Sequence, residues 1–346
     1  MSLAAQVLDG NRLALARLLT QIENNTEAGR EAINELFAYT GRAHLIGVTG
    51  APGTGKSSLV NQLARYYRDP AQGATTHTVG IVAVDPSSPF SGGAILGDRV
   101  RMRDLAGDPG VFIRSMASRG SLGGLATTTA TVVQALDAAG FEVILIETVG
   151  AGQAEVDIAR LAHTTLVIEA PGLGDDIQAI KAGILEIADI LVINKADRPG
   201  VEITERALRG NLDLAHPNRR LMTEFTESGH HGAPVRKEQP DNNAGYGLMW
   251  SPPILRTVAT EGIGIADLGS EIERHRQYLV KTGEYKRREQ TRLASELELM
   301  LQASLVRRWR STIPDDLYQQ VLEQLVDRSL SPWQAVQVLL AGDLSI

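Results

Sequence analysis

The residues best placed to do chemistry stand together at positions 50–58, Gly50-Ala51-Pro52-Gly53-Thr54-Gly55-Lys56-Ser57-Ser58. Glycines leave the backbone bare, so it can wrap an anion and turn its N–H groups inward. In this spacing the loop cradles a phosphate chain, with Lys56 reaching the β- and γ-phosphates and the Ser57 hydroxyl on Mg2+. The elements on either side must be a strand and a helix. Leu45–Val48 is a short apolar run, and Leu59, Val60, Leu63 and Ala64 repeat at helical spacing. The helix beginning near Lys56 turns its positive dipole end toward the same anion. The competing reading, a glycine-rich turn that happens to match, is disfavoured with strand and helix both in place.

A second motif, Asn194-Lys195-Ala196-Asp197, follows the apolar run Ile190–Ile193. A carboxylate there can accept from guanine N1–H and its 2-amino group. Adenine has no such donor pair, and a buried acceptor left unpaired makes the discrimination large. Asn194 can tie this loop to the phosphate loop, and the Lys195 stem can cover one face of the base. The competing reading of Asp197 is a helix cap.

Glu147-Thr148-Val149-Gly150 ends another apolar run. Its carboxylate can approach Mg2+ through water, and the Gly150 N–H can sense the γ-phosphate. In Ras-like switches a glutamine follows that glycine; here it is Ala151, and the nearest glutamine is Gln153. Weak intrinsic hydrolysis, or hydrolysis completed by a partner, is expected. Asp85 and Asp98 flank a glycine-bearing stretch and are candidate Mg2+ residues, because that ion takes hard oxygen ligands and keeps waters; turn and cap roles compete. Pro171-Gly172-Leu173-Gly174-Asp175-Asp176, with Lys181 behind it, can change shape with the γ-phosphate or be an ordinary turn. The catalytic candidates are therefore Lys56, Gln153 and Lys181. His230-His231 reads as a surface-loop pair, and Trp250, Trp309 and Trp333 as packing anchors.

The elements that hold these motifs alternate. Strands are expected at 78–85, 111–114, 142–147, 166–169, 190–193 and 254–258, with helices at 125–139, 177–187 and 264–280. That alternation defines an α/β fold: a P-loop NTPase sheet, mostly parallel and covered by helices on both faces. Residues 1–40 read as two or three helices with an apolar face at Leu15, Leu18, Leu19 and Ile22, and Ala32, Ile33, Leu36 and Phe37 repeat it. The expected domains are an N-terminal helical extension (1–42), a nucleotide domain (43–282, with a polar surface insertion at 226–249) and a helical arm (283–346).

With 346 residues and 43% hydrophobic, the chain can fill a large core. A net charge of −7 argues against nucleic acid as a standing partner. Zero cysteines exclude disulfides, thiolate metal sites and cysteine nucleophiles. No apolar run approaches the ~20 residues of a membrane span, and no secretory signal is visible. A cytoplasmic protein is the expectation.

In this order the motifs resemble the methylmalonyl-CoA mutase-associated GTPases, the MeaB/ArgK-like family of P-loop GTPases. The matching stretches are Gly47–Ser58, Ala83–Met102, Ser118–Ala126, Val143–Glu155 and Pro171–Asp197, with a weaker match through Trp250–Gly264 and the helical tail. The resemblance implies GTP hydrolysis to GDP, with Mg2+, coupled to loading and protection of an adenosylcobalamin-dependent acyl-CoA mutase. It implies that Asp85, Asp98 and Glu147 are acidic metal-site residues, that Asp175–Lys181 falls in an extra switch loop, and that the tail makes a homodimer. The last guanine-contact loop would be Val258-Ala259-Thr260. Where the family tends to have Ser-Ala this chain has Val258-Ala259, so only backbone contacts carry over. Two rivals are a metal-delivery GTPase, disfavoured by the missing cysteines, and a kinase or ATPase of an amino-acid transport system, which would prefer ATP against Asp197.

Overall fold

A computed structural model of the chain describes residues 1–69, 76–85, 104–105, 107–117, 124–148, 154–172, 185–215 and 250–342. The strands are β1 His44–Gly50, β2 Val79–Asp85, β3 Val111–Ala117, β4 Val143–Thr148, β5 Thr164–Glu169, β6 Ile190–Ile193 and β7 Ile254–Arg256. They form one seven-stranded sheet in the order β3-β2-β4-β1-β5-β6-β7, every pair parallel. The strands β1, β4 and β6 are buried along their whole length. That is why they read as unbroken apolar runs rather than as alternation.

The helices are α1 Leu3–Leu8, α2 Arg12–Glu23, α3 Glu27–Leu36, α4 Lys56–Arg68, α5 Gly124–Ala138, α6 Ala154–Leu161, α7 Val201–Ala215, α8 Ile265–Thr282, α9 Glu284–Arg310, α10 Asp315–Val326 and α11 Pro332–Ala341. Successive strand residues point to opposite faces, and each face has its own core. Ile144 and Ile146 join Leu18, Leu19 and Leu36 of the N-terminal helices and Val132, Val133 and Leu136 of α5. Val143 and Leu145 join Leu59, Val60 and Leu63 of α4 and Leu268 and Ile272 of α8. At Gly47 a side chain would meet Ile158 at 2.8 Å, so the glycine admits α6 onto β1.

The N-terminal helices are three, each N-capped by a side chain: Ser2, Asn11 and Thr26. Their face at Leu15, Leu18, Leu19 and Ile22 is buried as expected, whereas Phe37 is half exposed. The last strand stops at Arg256, two residues short of expectation, because Thr257 turns its hydroxyl to Asn194 and Val258 pairs antiparallel with Ile263. The expected helix at 177–187 falls mostly outside the described residues, as do 226–249 and His230-His231; its end at Leu185 and Glu186 is helical.

Two compact units divide the chain, Met1–Arg292 and Leu293–Ile346. In the second, Leu317 and Val321 of α10 pack on Ala335 and Val338 of α11. Ser331 and Gln334 close a capping box with Pro332 in the first turn. Trp309 anchors as expected, donating to the Leu339 carbonyl at 3.1 Å. Trp333 does not: it is 73% exposed. Among the described residues no helix is long and apolar enough to cross a membrane.

Candidate nucleotide site

Parallel register brings the carboxyl ends of the central strands together. Val48 pairs with Glu147, Gly50 with Ile168, and the Asn194 amide donates to the Glu169 carbonyl at 2.8 Å. Ligands of open parallel sheets bind beyond these ends. The chain leaves β1 at Gly50 with φ +139°, where a Cβ would run into the Ile168 carbonyl. Gly53 (φ +81°) and Gly55 (φ +93°) complete the turn, and Gly55 is the left-handed N-cap of α4. An L side chain is strained at each of these angles. Thr54 closes the loop through its hydroxyl, which donates to the Ala51 carbonyl at 2.9 Å.

Lys56 opens α4 and is 6% exposed. Its ammonium donates to the Gly50 and Ala51 carbonyls at 2.7 and 3.0 Å, so it lies inside the curl of the loop. Ser57 beside it is half-buried, while Pro52, Gly53 and Ser58 are exposed.

Asn194 is the hub. It is 2% exposed. Its Nδ2 donates to the Thr54 carbonyl at 2.8 Å, and its Oδ1 accepts from the Thr257 hydroxyl and the Ala259 amide, each at 3.1 Å. One side chain thus fastens the phosphate loop, the end of β6 and the turn after β7. A Cβ at Gly55 would overlap this amide, so the glycine is needed twice over. Lys195, at φ +57°, lays its stem across the loop and donates to the Gly53 carbonyl at 2.5 Å. Strain of this kind in a non-glycine residue concentrates at functional sites. Asp197 is exposed, and so is Thr260, whereas the side chains of Val258 and Ala259 are buried, leaving that turn its backbone to offer. Thr257 was not among the sequence candidates; its one signal is a hydroxyl directly before the last loop.

Glu147 is the next-to-last residue of β4 and is 1% exposed, and the backbone of β2 ends at Asp85. Among the described residues no three acidic or histidine side chains form a metal cluster. Mg2+ needs no such cluster, since it is bound through one or two carboxylates plus substrate phosphates. Asp98, Gly150, Gln153 and Lys181 lie outside the described residues.

A parallel sheet whose first strand feeds a glycine loop into a helix N-terminus, tied by an asparagine to a base-side loop, defines a P-loop nucleotide-binding protein. The family description "Methylmalonyl Co-A mutase-associated GTPase MeaB" matches residues 15–313. A Pyrococcus abyssi protein named as a GTPase is 40% identical over 341 residues, covering 97% of this chain and 96% of that one. The GTPase ArgK of Escherichia coli is 30% identical over 329 residues, covering 93% and 90%. A crystal structure titled as a LAO/AO transport system kinase shares the fold, with TM-score 0.63, 24% identity and coverage of 97% and 95%. The chain belongs to the MeaB family of GTPases. It binds guanine nucleotide and hydrolyses GTP.

Proposed function

We propose that the chain is a Mg2+-dependent GTPase that acts as a chaperone for an adenosylcobalamin-dependent acyl-CoA mutase of the methylmalonyl-CoA mutase type. The family match across 15–313 carries this reading.

The geometry of the loop supports the following residue roles. Gly50 to Ser58 wrap the phosphates with main-chain N–H groups. Lys56 exchanges a loop carbonyl for a phosphate oxygen and holds charge where it develops in phosphoryl transfer. Asp197 reads the guanine edge, Lys195 covers the base, Asn194 holds both loops at their spacing, and the backbone of Val258, Ala259 and Thr260 lines the far side. Ser57, Glu147, Asp85 and Asp98 would supply oxygen ligands of the kind a hard divalent cation takes. When bound, Mg2+ supplies neutralisation of charge on the β- and γ-phosphates. Gly150 and the loop bearing Lys181 respond to the γ-phosphate, and Gln153, two residues beyond the position where Ras-like switches carry glutamine, is the catalytic candidate of its loop.

In this reading 1–42 is a helical extension, 43–282 the nucleotide domain with its insertion at 226–249, and 283–346 a dimerisation arm. Leu297, Leu301, Leu305 and Val306 on α9 and Trp333 and Leu340 on α11 are exposed apolar side chains. Exposed apolar surface of this kind fits a homodimer contact. The working place is the cytoplasm, with neither nucleic acid nor membrane as partner.

The test is the hydrolysis rate of the full chain with and without a cobalamin-dependent mutase, together with co-purification of the two. A stable complex whose GTP turnover exceeds that of the GTPase alone is expected. No complex, no change in rate, and equal use of ATP would point instead to the transport-kinase reading.

A further inference from the structure

At the end of the sheet away from the phosphate loop, a buried polar network takes no part in the nucleotide chemistry. His44, His163, Thr164, Asp189 and His275 are each at most 5% exposed. Their partners fix where the protons sit. The Leu45 N–H can only donate, and it points at His163 Nδ1 from 3.1 Å. That nitrogen must be bare, so the ring carries its proton on Nε2, 3.2 Å from Glu289 Oε2. The backbone of His163 completes a frame: its N–H donates to the Leu45 carbonyl at 2.8 Å, and its carbonyl accepts from Arg288 at 2.7 Å. The Tyr285 ring lies 4.3 Å from the imidazole. One residue therefore joins β1 to the first turns of α9.

A second branch runs beside it. Asp189 accepts both guanidinium donors of Arg288, at 2.7 and 2.8 Å, and faces His275 Nε2 at 3.3 Å. The Thr164 hydroxyl links His275 Nδ1, at 2.9 Å, to His44 Nε2, at 2.8 Å.

An added proton on His163 is not accommodated. An Nδ1–H would face the Leu45 N–H across 3.1 Å, donor against donor.

We propose that His163 is a proton-operated latch: neutral, it fastens the start of α9 to β1, and protonated, it releases Leu45 and loosens that end of the helix. The groups around it are Glu289, Arg288, Arg292 and Tyr285 from α9, His44 from β1, Arg276 from α8, and, beyond Thr164, His275 and Asp189. Burial pushes His163 below its ordinary 6.5, and the hydrogen bond to Glu289 offsets this only in part. Burial pushes His44 well below 6.5 too, with the neighbouring His163 adding to it. The opened form therefore takes up protons below 6.5 where the closed form does not. The latch is fully held above that pH and weakens as pH falls, by up to about tenfold in opening per pH unit for one histidine. Burial would raise Glu289 and Asp189, but hydrogen bonds, from His163 and Arg292 to the one and from His275 and Arg288 to the other, hold both at about 2. Both stay charged through this window.

Amide hydrogen exchange of the full-length protein at pH 7.5 and 5.5, corrected for intrinsic exchange, tests this. Protection at 44–47 and 284–292 should fall about tenfold at the lower pH while amides of α4 keep theirs. In His163→Asn, which can still accept from Leu45 but cannot take a proton, the fall at 284–292 should vanish, and any fall left at 44–47 is the share of His44. No fall in the wild type, or the same fall in the variant, overturns the latch. Should that variant not fold, Glu289→Gln still accepts from Nε2 and removes the charge that favours protonation. The fall should then be at least as large and continue to lower pH, because only the closed form's affinity for the proton has dropped; a smaller fall, or none, overturns the latch equally.

Discussion

At the carboxyl ends of β1 and β6 the polar atoms that matter are mostly main-chain groups, set on glycines and held at a distance from one another by Asn194. At the amino ends of β1 and β5 they are side chains that satisfy one another: His44 to Thr164 to His275, Asp189 to Arg288, His163 to Glu289. Donors that are to receive a ligand of changing charge must hold no partner they cannot exchange, as Lys56 can exchange a loop carbonyl, and a glycine loop achieves that at low steric cost. A closed side-chain network can take nothing new without breaking a bond it already has. The same strands carry both ends, so the two designs can be compared by substitution within one fold.

The largest effect should come from the phosphate side. Lys56→Ala should lower kcat for GTP by about 10²–10³-fold, the worth of one preorganised transition-state donor, with the far-ultraviolet circular dichroism unchanged. At the other end the effects should fall on stability. Asp189→Asn leaves the Arg288 charge without its counter-ion and should lower unfolding free energy by about 3 kcal/mol, the low end for breaking a buried pair, while turnover per folded molecule holds. It should also change the acid limb. Burial would raise this carboxyl above its ordinary 3.8, but its hydrogen bonds hold it at about 2. Its contribution is present above 3.8 and lost as pH falls toward 2, and urea midpoints at pH 4 and pH 2.5 should lie closer together in the variant. Asn194→Ala should straddle the comparison. It orphans Thr54, Thr257 and Ala259 at once, so a loss of about 2 kcal/mol, seen in urea titrations, should accompany weaker nucleotide binding. A variant that loses only one of the two would break the contrast drawn here.

What the sequence made legible follows the same divide. The glycine loop and Asn194-Lys195-Ala196-Asp197 are contiguous, and strands buried on both faces write themselves as apolar runs, as in Val143–Ile146 and Ile190–Ile193. Helix α7 was missed because its inward face mixes Thr204 with Val201, Leu208 and Leu212 while Ile203 is 62% exposed, which blurs the period. Trp333 misled because residue type alone does not say which side of a helix faces a core. The histidine network was invisible for a different reason. His44, His163 and His275 are scattered along the chain, and only the parallel pairing of Ile46 with Thr164 and the packing of α8 bring them together. Thr257 is similar, since its meaning depends on where Asn194 lies.

The central claim is that a carboxylate held by this loop chooses the base. The direct measurement is the affinity of wild type and Asp197→Asn for GTP, ATP and xanthosine triphosphate. The account predicts that the substitution weakens GTP binding by about 10²-fold or more, gains xanthosine triphosphate, and leaves ATP poor throughout. Equal affinity of the wild type for GTP and ATP, or no effect of the substitution, would contradict it.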